Sequence, residues 1–199
     1  MSIDLIVGLG NPGPEYEFTR HNAGFWFVDE LAHQAKLSFK FETKFQGAVC
    51  KYPAPGNAPR DCWLLKPHTF MNKSGQPIAS LAGFYKIPAE NILVVHDDLD
   101  LPPGTVRLKQ GGGHGGHNCL RDIIAHIGDN FLRLRIGVGH PGKGNDVVNY
   151  VLKRAPAAEQ KLIDDALAEA YTALPLILNG EIEKAMQRLH TSKPAGENV

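Results

Sequence analysis

The stretch "IDLIVGLGNPG", residues 3–13, holds the first element of the fold and the first question about its use. Ile3 to Leu9 reads as a buried strand running into a Gly/Pro turn. Gly8, Gly10 and Gly13 then spell G-x-G-x-x-G, the fingerprint of a dinucleotide-binding strand–turn–helix. The context does not suit that use. A dinucleotide loop opens straight into a helix whose N-terminal amides meet a pyrophosphate. Here Pro12 and Pro14 flank the last glycine, Pro12 has no N–H to offer, and "EYEFTRHN" intervenes before any helical pattern begins. The acid that would hold a ribose should end a second strand, whereas Asp29 falls inside the first helix.

Working outward, Asn22 to Lys36 carries Phe25, Val28, Leu31, Ala32 and Ala35 at helical spacing. Phe45–Tyr52 and Cys62–Leu65 read as strands joined by a Pro/Gly loop at 53–60. Lys73–Lys86 reads as a helix with Pro77 in an early turn, where proline is tolerated. "NILVVHDD" and "TVRLKQ" read as strands, "GGGHGGHN" as a loop, "CLRDIIAHIG" as a helix and "FLRLRIGVG" as a strand. Glu159–Leu174 and Glu181–Leu189 close the chain as amphipathic helices, with breaks expected at Pro175 and Gly180 and a loose tail over 191–199. Strands alternating with helices give an α/β fold: a single-domain sandwich over residues 1–199, its central mixed, largely parallel twisted sheet flanked by helices.

Lys+Arg and Asp+Glu both number 21, so a nucleic-acid partner would have to be held by a local basic face. Residues 103–145 supply one candidate: six basic residues (Arg107, Lys109, Arg121, Arg133, Arg135, Lys143) stand against Asp122 and Asp129. Cys50, Cys62 and Cys119 are odd in number and lack C-x-x-C spacing, which argues against a disulfide framework and a cysteine-rich zinc site. No signal peptide or membrane-length apolar run is read, and the expected location is the cytoplasm.

"GVGHPGKG", Gly137–Gly144, nearly matches a P-loop, but Gly144 stands where a Ser or Thr would bind magnesium. A different constellation remains at the ends of the apolar segments: Asn11, His21, Asn72, Asp97 and Asn118. Ligands of open α/β sheets bind at strand carboxyl ends. A histidine with a carboxylate partner and several amides is what water activation at a carbonyl requires. No G-x-S-x-G nucleophile elbow occurs, and no cysteine sits in a nucleophile motif, which favours direct attack by water. His114 and His117 form H-x-x-H without a third ligand nearby, so no metal is expected. Singly, Asn72 and Asn118 also suit helix capping, and Asp98 and Asp100 suit a solvated turn. An NTPase built on "GVGHPGKG" and an RNA-binding module using the basic region are the competing classes.

As a set, "IVGLGNPGPEYEFTRHNAGF", "KPHTFMNKSG", "VVHDDLDLPPGTVRLKQGGGHGGHN" and "LRIGVGHPG" closely resemble the bacterial peptidyl-tRNA hydrolase family, from residue 3 to about 190. The resemblance implies an esterase that frees tRNA from a peptide, acting as a cytoplasmic monomer with no cofactor and no metal. On it, His21 would be the base, Asp97 would stabilise the basic form, and Asn11 would discriminate N-blocked from free aminoacyl ends. Tyr16, Phe70, Asn72 and Asn118 would line the site for the tRNA terminus and the peptide. Lys109 and Arg135 would meet tRNA phosphates, in accord with the basic region. The glycine loop would then turn the chain so that Asn11 and Tyr16 face the site. Two positions depart from the family pattern: Cys119 in place of glycine and Asp98 in place of the commoner glutamate.

Overall fold

Strand β1 (Leu5–Gly8) lies in the middle of a seven-stranded mixed sheet and turns into α1 (Ala23–Gln34) through two short 3₁₀ turns, Pro14–Tyr16 and Arg20–Asn22. There follow β2 (Lys40–Glu42), β3 (Gly47–Tyr52), β4 (Cys62–Pro67), a 3₁₀ turn at Met71–Lys73, α2 (Gly75–Phe84) and β5 (Ile92–Asp98). The chain continues with β6 (Val106–Gln110), α3 (Asn118–Ile127), β7 (Leu132–Gly137), α4 (Val147–Val151), α5 (Ala157–Leu178) and α6 (Ile182–Thr191). This computed structural model describes residues 2–53 and 61–191. The loop read at 53–60 and the tail read at 191–199 lie outside the described residues, apart from Pro53 and from Thr191, the last residue of α6.

The strand order is β2-β3-β4-β1-β5-β7-β6. Strands β4, β1, β5 and β7 run parallel, and the β2–β3, β3–β4 and β6–β7 pairings are antiparallel. A central parallel strand is covered on both faces and needs apolar residues at every position, which is why "LIV" and "ILVV" do not alternate with polar residues. Leu5 and Val7 join the layer under α2 and α3 with Ile78, Leu81 and Ile123; Ile6 joins the opposite layer with Phe27 and Leu31 of α1 and Leu174 and Ile177 of α5.

The opening glycines are explained by packing. A Cβ on Gly8 would lie 2.3 Å from the Gly24 carbonyl, and one on Gly24 would lie 2.3 Å from the Val95 carbonyl and 2.4 Å from the Leu9 nitrogen. The first turn of α1 is thus pressed against the ends of β1 and β5. A Cβ on Gly10 would meet the Phe25 ring at 2.5 Å, and Gly13 holds a left-handed φ of 114° that a side chain rarely adopts. Nor does "GVGHPGKG" run into a helix: β7 ends at Gly137, and α4 starts only at Val147, capped by the Asp146 carboxylate, which accepts from the Asn149 N–H at 3.2 Å.

One expectation is overturned. α5 runs through Pro175 without a break and ends at Leu178. Proline inside a helix costs about 3 kcal/mol, whereas burying each of Leu174, Ile177 and Leu178 returns about 1.5–3 kcal/mol. Pro175 itself faces solvent, so water can satisfy the carbonyl one turn earlier. The break at Gly180 stands, with a positive φ of 77° before α6.

Gly24→Ala is expected to destabilise the fold by about 3 kcal/mol, because its Cβ meets backbone that cannot yield. Gly83→Ala, in a helix with open space around it, should be neutral or stabilising by up to about 1 kcal/mol. Urea midpoints with unchanged slopes would show both effects.

Candidate active site

The carboxyl ends of β1, β5 and β7 open into a cleft of about 1030 Å³ that is lined by Asn11, Tyr16, His21, Phe70, Asn72, Asp97, Lys109, Asn118 and Arg135. All nine residues singled out in the sequence therefore share one cavity, although they come from six separate parts of the chain. The close approach of α1 to the sheet places His21, in the 3₁₀ turn before α1, beside the end of β5.

Asp97 is the centre of the polar arrangement. Its side chain is 2% exposed, and both carboxylate oxygens accept from the His21 Nδ1, at 2.9 and 3.0 Å. His117 approaches the same carboxylate from the glycine loop, with Nε2 3.5 Å from Oδ1. Burial alone would raise the Asp97 carboxyl, but the charge of His21 and the hydrogen bonds from His117 and His21 outweigh it and hold it well below the usual carboxylate range. Burial likewise opposes the charged form of His21, while Asp97 raises its pKa above the ordinary value. For His117 burial is again outweighed by Asp97, and the imidazole is pushed up to about 9. His96, fully enclosed and facing the His117 cation, goes the other way, to about 4.

These contacts assign the protons. With Nδ1–H directed to Asp97, the Nε2 of His21 carries the lone pair. His96 uses Nδ1 to donate to the Asp97 carbonyl at 2.8 Å. The ligand-type atoms of His21, Asp97 and His117 lie within 4.8 Å of one another and could approach one metal ion together, but here they are engaged with each other. His114, the other half of the H-x-x-H pair, accepts from the Gly116 N–H and is not a member of that group.

A second arrangement fixes an amide. Asn22 clamps the backbone of Asn11: its Oδ1 accepts from the Asn11 N–H at 2.8 Å and its Nδ2 donates to the Asn11 carbonyl at 3.0 Å. The Asn11 Oδ1 accepts from the Met71 N–H at 3.0 Å, so the Nδ2 donor is the end left for the cleft. Phe70 stands 65% exposed beside it, while Asn72 and Asn118 are exposed at the 3₁₀ turn after β4 and at the first residue of α3.

The basic region contributes less free charge than its count suggests. Arg133 is buried, donates to the Gly112 and Gly113 carbonyls and lies over the Phe131 ring, so it braces the glycine loop. Arg135 pairs with Asp98 through Nε at 2.8 Å. Lys109 is exposed at the mouth of the cleft and has no ion pair among the described residues. The sequence reading missed His96, the clamping role of Asn22 and the bracing role of Arg133. A polar residue within an apolar strand is the signal for His96; the other two are visible only once the loops are folded.

Comparison with known proteins is consistent with this geometry. The family model described as peptidyl-tRNA hydrolase matches residues 5–197. The peptidyl-tRNA hydrolase of Neisseria gonorrhoeae is 56% identical over 191 residues, covering 96% of this chain and 98% of its own. That of Pseudomonas paraeruginosa is 54% identical over 194 residues, again covering 96% and 98%. The crystal structure of peptidyl-tRNA hydrolase from Acinetobacter baumannii superposes with a TM-score of 0.90 at 51% identity, over 97% of each chain.

The His117 shift carries a sign. Its folded pKa lies above the unfolded value of about 6.5, so its contribution to stability is fully present below about pH 6.5 and is lost as pH rises through about 9. Relative to wild type, His117→Asn should therefore lose more stability at pH 6 than at pH 9.5, by up to about 3 kcal/mol. Ring ¹⁵N shifts should show His117 titrating near 9 and His96 neutral down to about 4.

Proposed function

Since the chain belongs to the peptidyl-tRNA hydrolase family, we propose that it cleaves the ester between a peptide, or an N-blocked aminoacyl group, and the 3′ end of tRNA, using water activated by His21. The observation that carries this reading is the His21–Asp97 pair at 2.9 Å, with Nε2 left as the basic atom in a cleft.

His21 Nε2 takes a proton from water as the water oxygen bonds to the ester carbon, and the carbonyl electrons move onto oxygen. Asp97 holds the ring in the correct tautomer and offsets the imidazolium charge. Base catalysis of this kind is worth about 10²- to 10⁴-fold. The amides of Asn72 and Asn118, which line the same cleft, would donate to the oxyanion, at about 3 kcal/mol for one good donor. Collapse expels the ribose oxygen, which takes the proton from His21, and the peptide leaves as its carboxylic acid.

Asn11 Nδ2 would donate to a carbonyl of the peptide, a group that a free aminoacyl end lacks beyond its ester. Tyr16 and Phe70 would form walls for the terminal nucleotide and the acyl chain, and Lys109 and Arg135 would meet phosphates at the far side. The protein would act as a monomer, with all nine residues supplied by one chain. Among the described residues no helix is long and apolar enough to cross a membrane.

Release of the acyl group from N-acetyl-aminoacyl-tRNA, with EDTA present and the unblocked substrate alongside, tests the reading. Cleavage of the blocked substrate alone is expected; cleavage of neither would overturn it. The rate should rise with pH through the His21 pKa, because the neutral ring is the base and Asp97 raises that pKa. His21→Ala should lower kcat by about 10²-fold or more while sparing tRNA affinity. Lys109→Ala should weaken tRNA binding and flatten its log–log salt dependence by about one unit.

A further inference from the structure

A second cleft, of about 770 Å³, backs onto the first and shares Asn11 with it. The two adjoin at Asn11 and are lined by the same pair of chain segments. On one side the loop after β1 gives Tyr16 to the first cleft and Phe18 to the second; on the other, the segment after β4 gives Phe70 to the first and His68 to the second. The Asn11 amide, clamped by Asn22 and Met71, stands at the crossing.

Resting on the function proposed above, we propose that this second cleft binds the distal part of the peptide, the residues beyond those held at Asn11. A polypeptide of unspecified sequence calls for apolar rings together with charges of both signs. The cleft supplies Phe18, Phe25 and Trp26 from the loop and α1, with Arg154 4.7 Å from the Phe18 ring centre and Lys66 4.8 Å from that of Phe25. Lys66 is paired with Asp29 at 2.7 Å, which leaves a balanced rather than a cationic floor.

Charge also separates this cleft from the tRNA. Glu17, Asp29 and Asp164 outnumber Lys66 and Arg154, and His68 is shifted toward its neutral form by burial and by Lys66. A phosphate backbone would not be drawn here, whereas Lys109 and Arg135 lie in the other cleft. With the ester at His21 and the nucleotide leaving past Lys109, the acyl chain has the Asn11 crossing as its exit. Phe18 is 53% exposed, a large apolar side chain held at the surface where such a chain would cover it.

The test compares two substrates, N-acetyl-aminoacyl-tRNA and a peptidyl-tRNA carrying about eight residues, which when extended spans about 25 Å and passes the crossing. Phe18→Ala and the double variant Phe18→Ala/Arg154→Ala change surface side chains, and circular dichroism melts would check their folding. The expected result is a loss of about tenfold in kcat/KM confined to the long substrate. An unchanged ratio of long to short substrate, with the short one still cleaved, would overturn this proposal and leave the parent reading standing. Equal losses on both would assign the cleft to the tRNA part and overturn it as well. Failure of the wild-type protein to cleave either substrate would remove both readings.

Discussion

A carboxylate that is 2% exposed cannot stay ionised in a protein interior unless partners replace its water, since the desolvation penalty is several kcal/mol. Asp97 meets that condition with His21 and His117, and much of the local architecture follows from it. β5 must carry the acid to the end of a strand buried on both faces. α1 must come close enough for His21 to reach, which requires glycine at 8 and 24 because any Cβ there would strike backbone. The glycine loop must fold back far enough to bring His117 within 3.5 Å, and Arg133 ties it down through two carbonyls. One buried charge thereby links a strand, a helix start and a loop that are distant in sequence.

The same arrangement explains why three neighbouring histidines differ so widely. His117 faces the carboxylate and is driven toward its charged form; His96 faces His117 across 5.2 Å, with only a carbonyl to its credit, and is driven neutral. His21 shares the carboxylate but keeps one nitrogen toward the cleft. Position relative to Asp97, not residue type, decides which way each ring is shifted.

Much of this was legible before folding. An apolar run buried on both faces announces itself as a central parallel strand, and polar residues at strand ends announce a cleft. The glycine pattern was readable as something other than a dinucleotide loop because Pro12 removes a donor the phosphate would need. Helix α5 was not readable past Pro175, because local propensity favours a stop there and only the burial of Ile177 and Leu178 against the sheet reverses it. Asn22 was visible as a helix start but not as a clamp, since its partner, the Asn11 backbone, is identified only when the loop closes over it.

Charge counting was the least transferable reading, for a physical reason. A guanidinium has five donors and readily satisfies backbone carbonyls, so an arginine in the sequence need not be a cation at the surface. Arg20 spends its donors on the Tyr150 and Lys153 carbonyls and on Glu159, fastening α4 to the start of α1. Arg133 supports the glycine loop, and Arg135 is held by Asp98. Lysine has no planar fork and is less often consumed in this way, which leaves Lys109 exposed at the cleft mouth. In a chain with equal numbers of acids and bases, attraction for an anionic ligand then depends on which cations the fold leaves uncommitted. Arg135 stands between the two cases: it lines the cleft, but Asp98 accepts from its Nε, so any anion there would share the guanidinium with that carboxylate. The acid beside Arg135 therefore orients the cation and offsets part of its charge, so that geometry counts there as much as net charge.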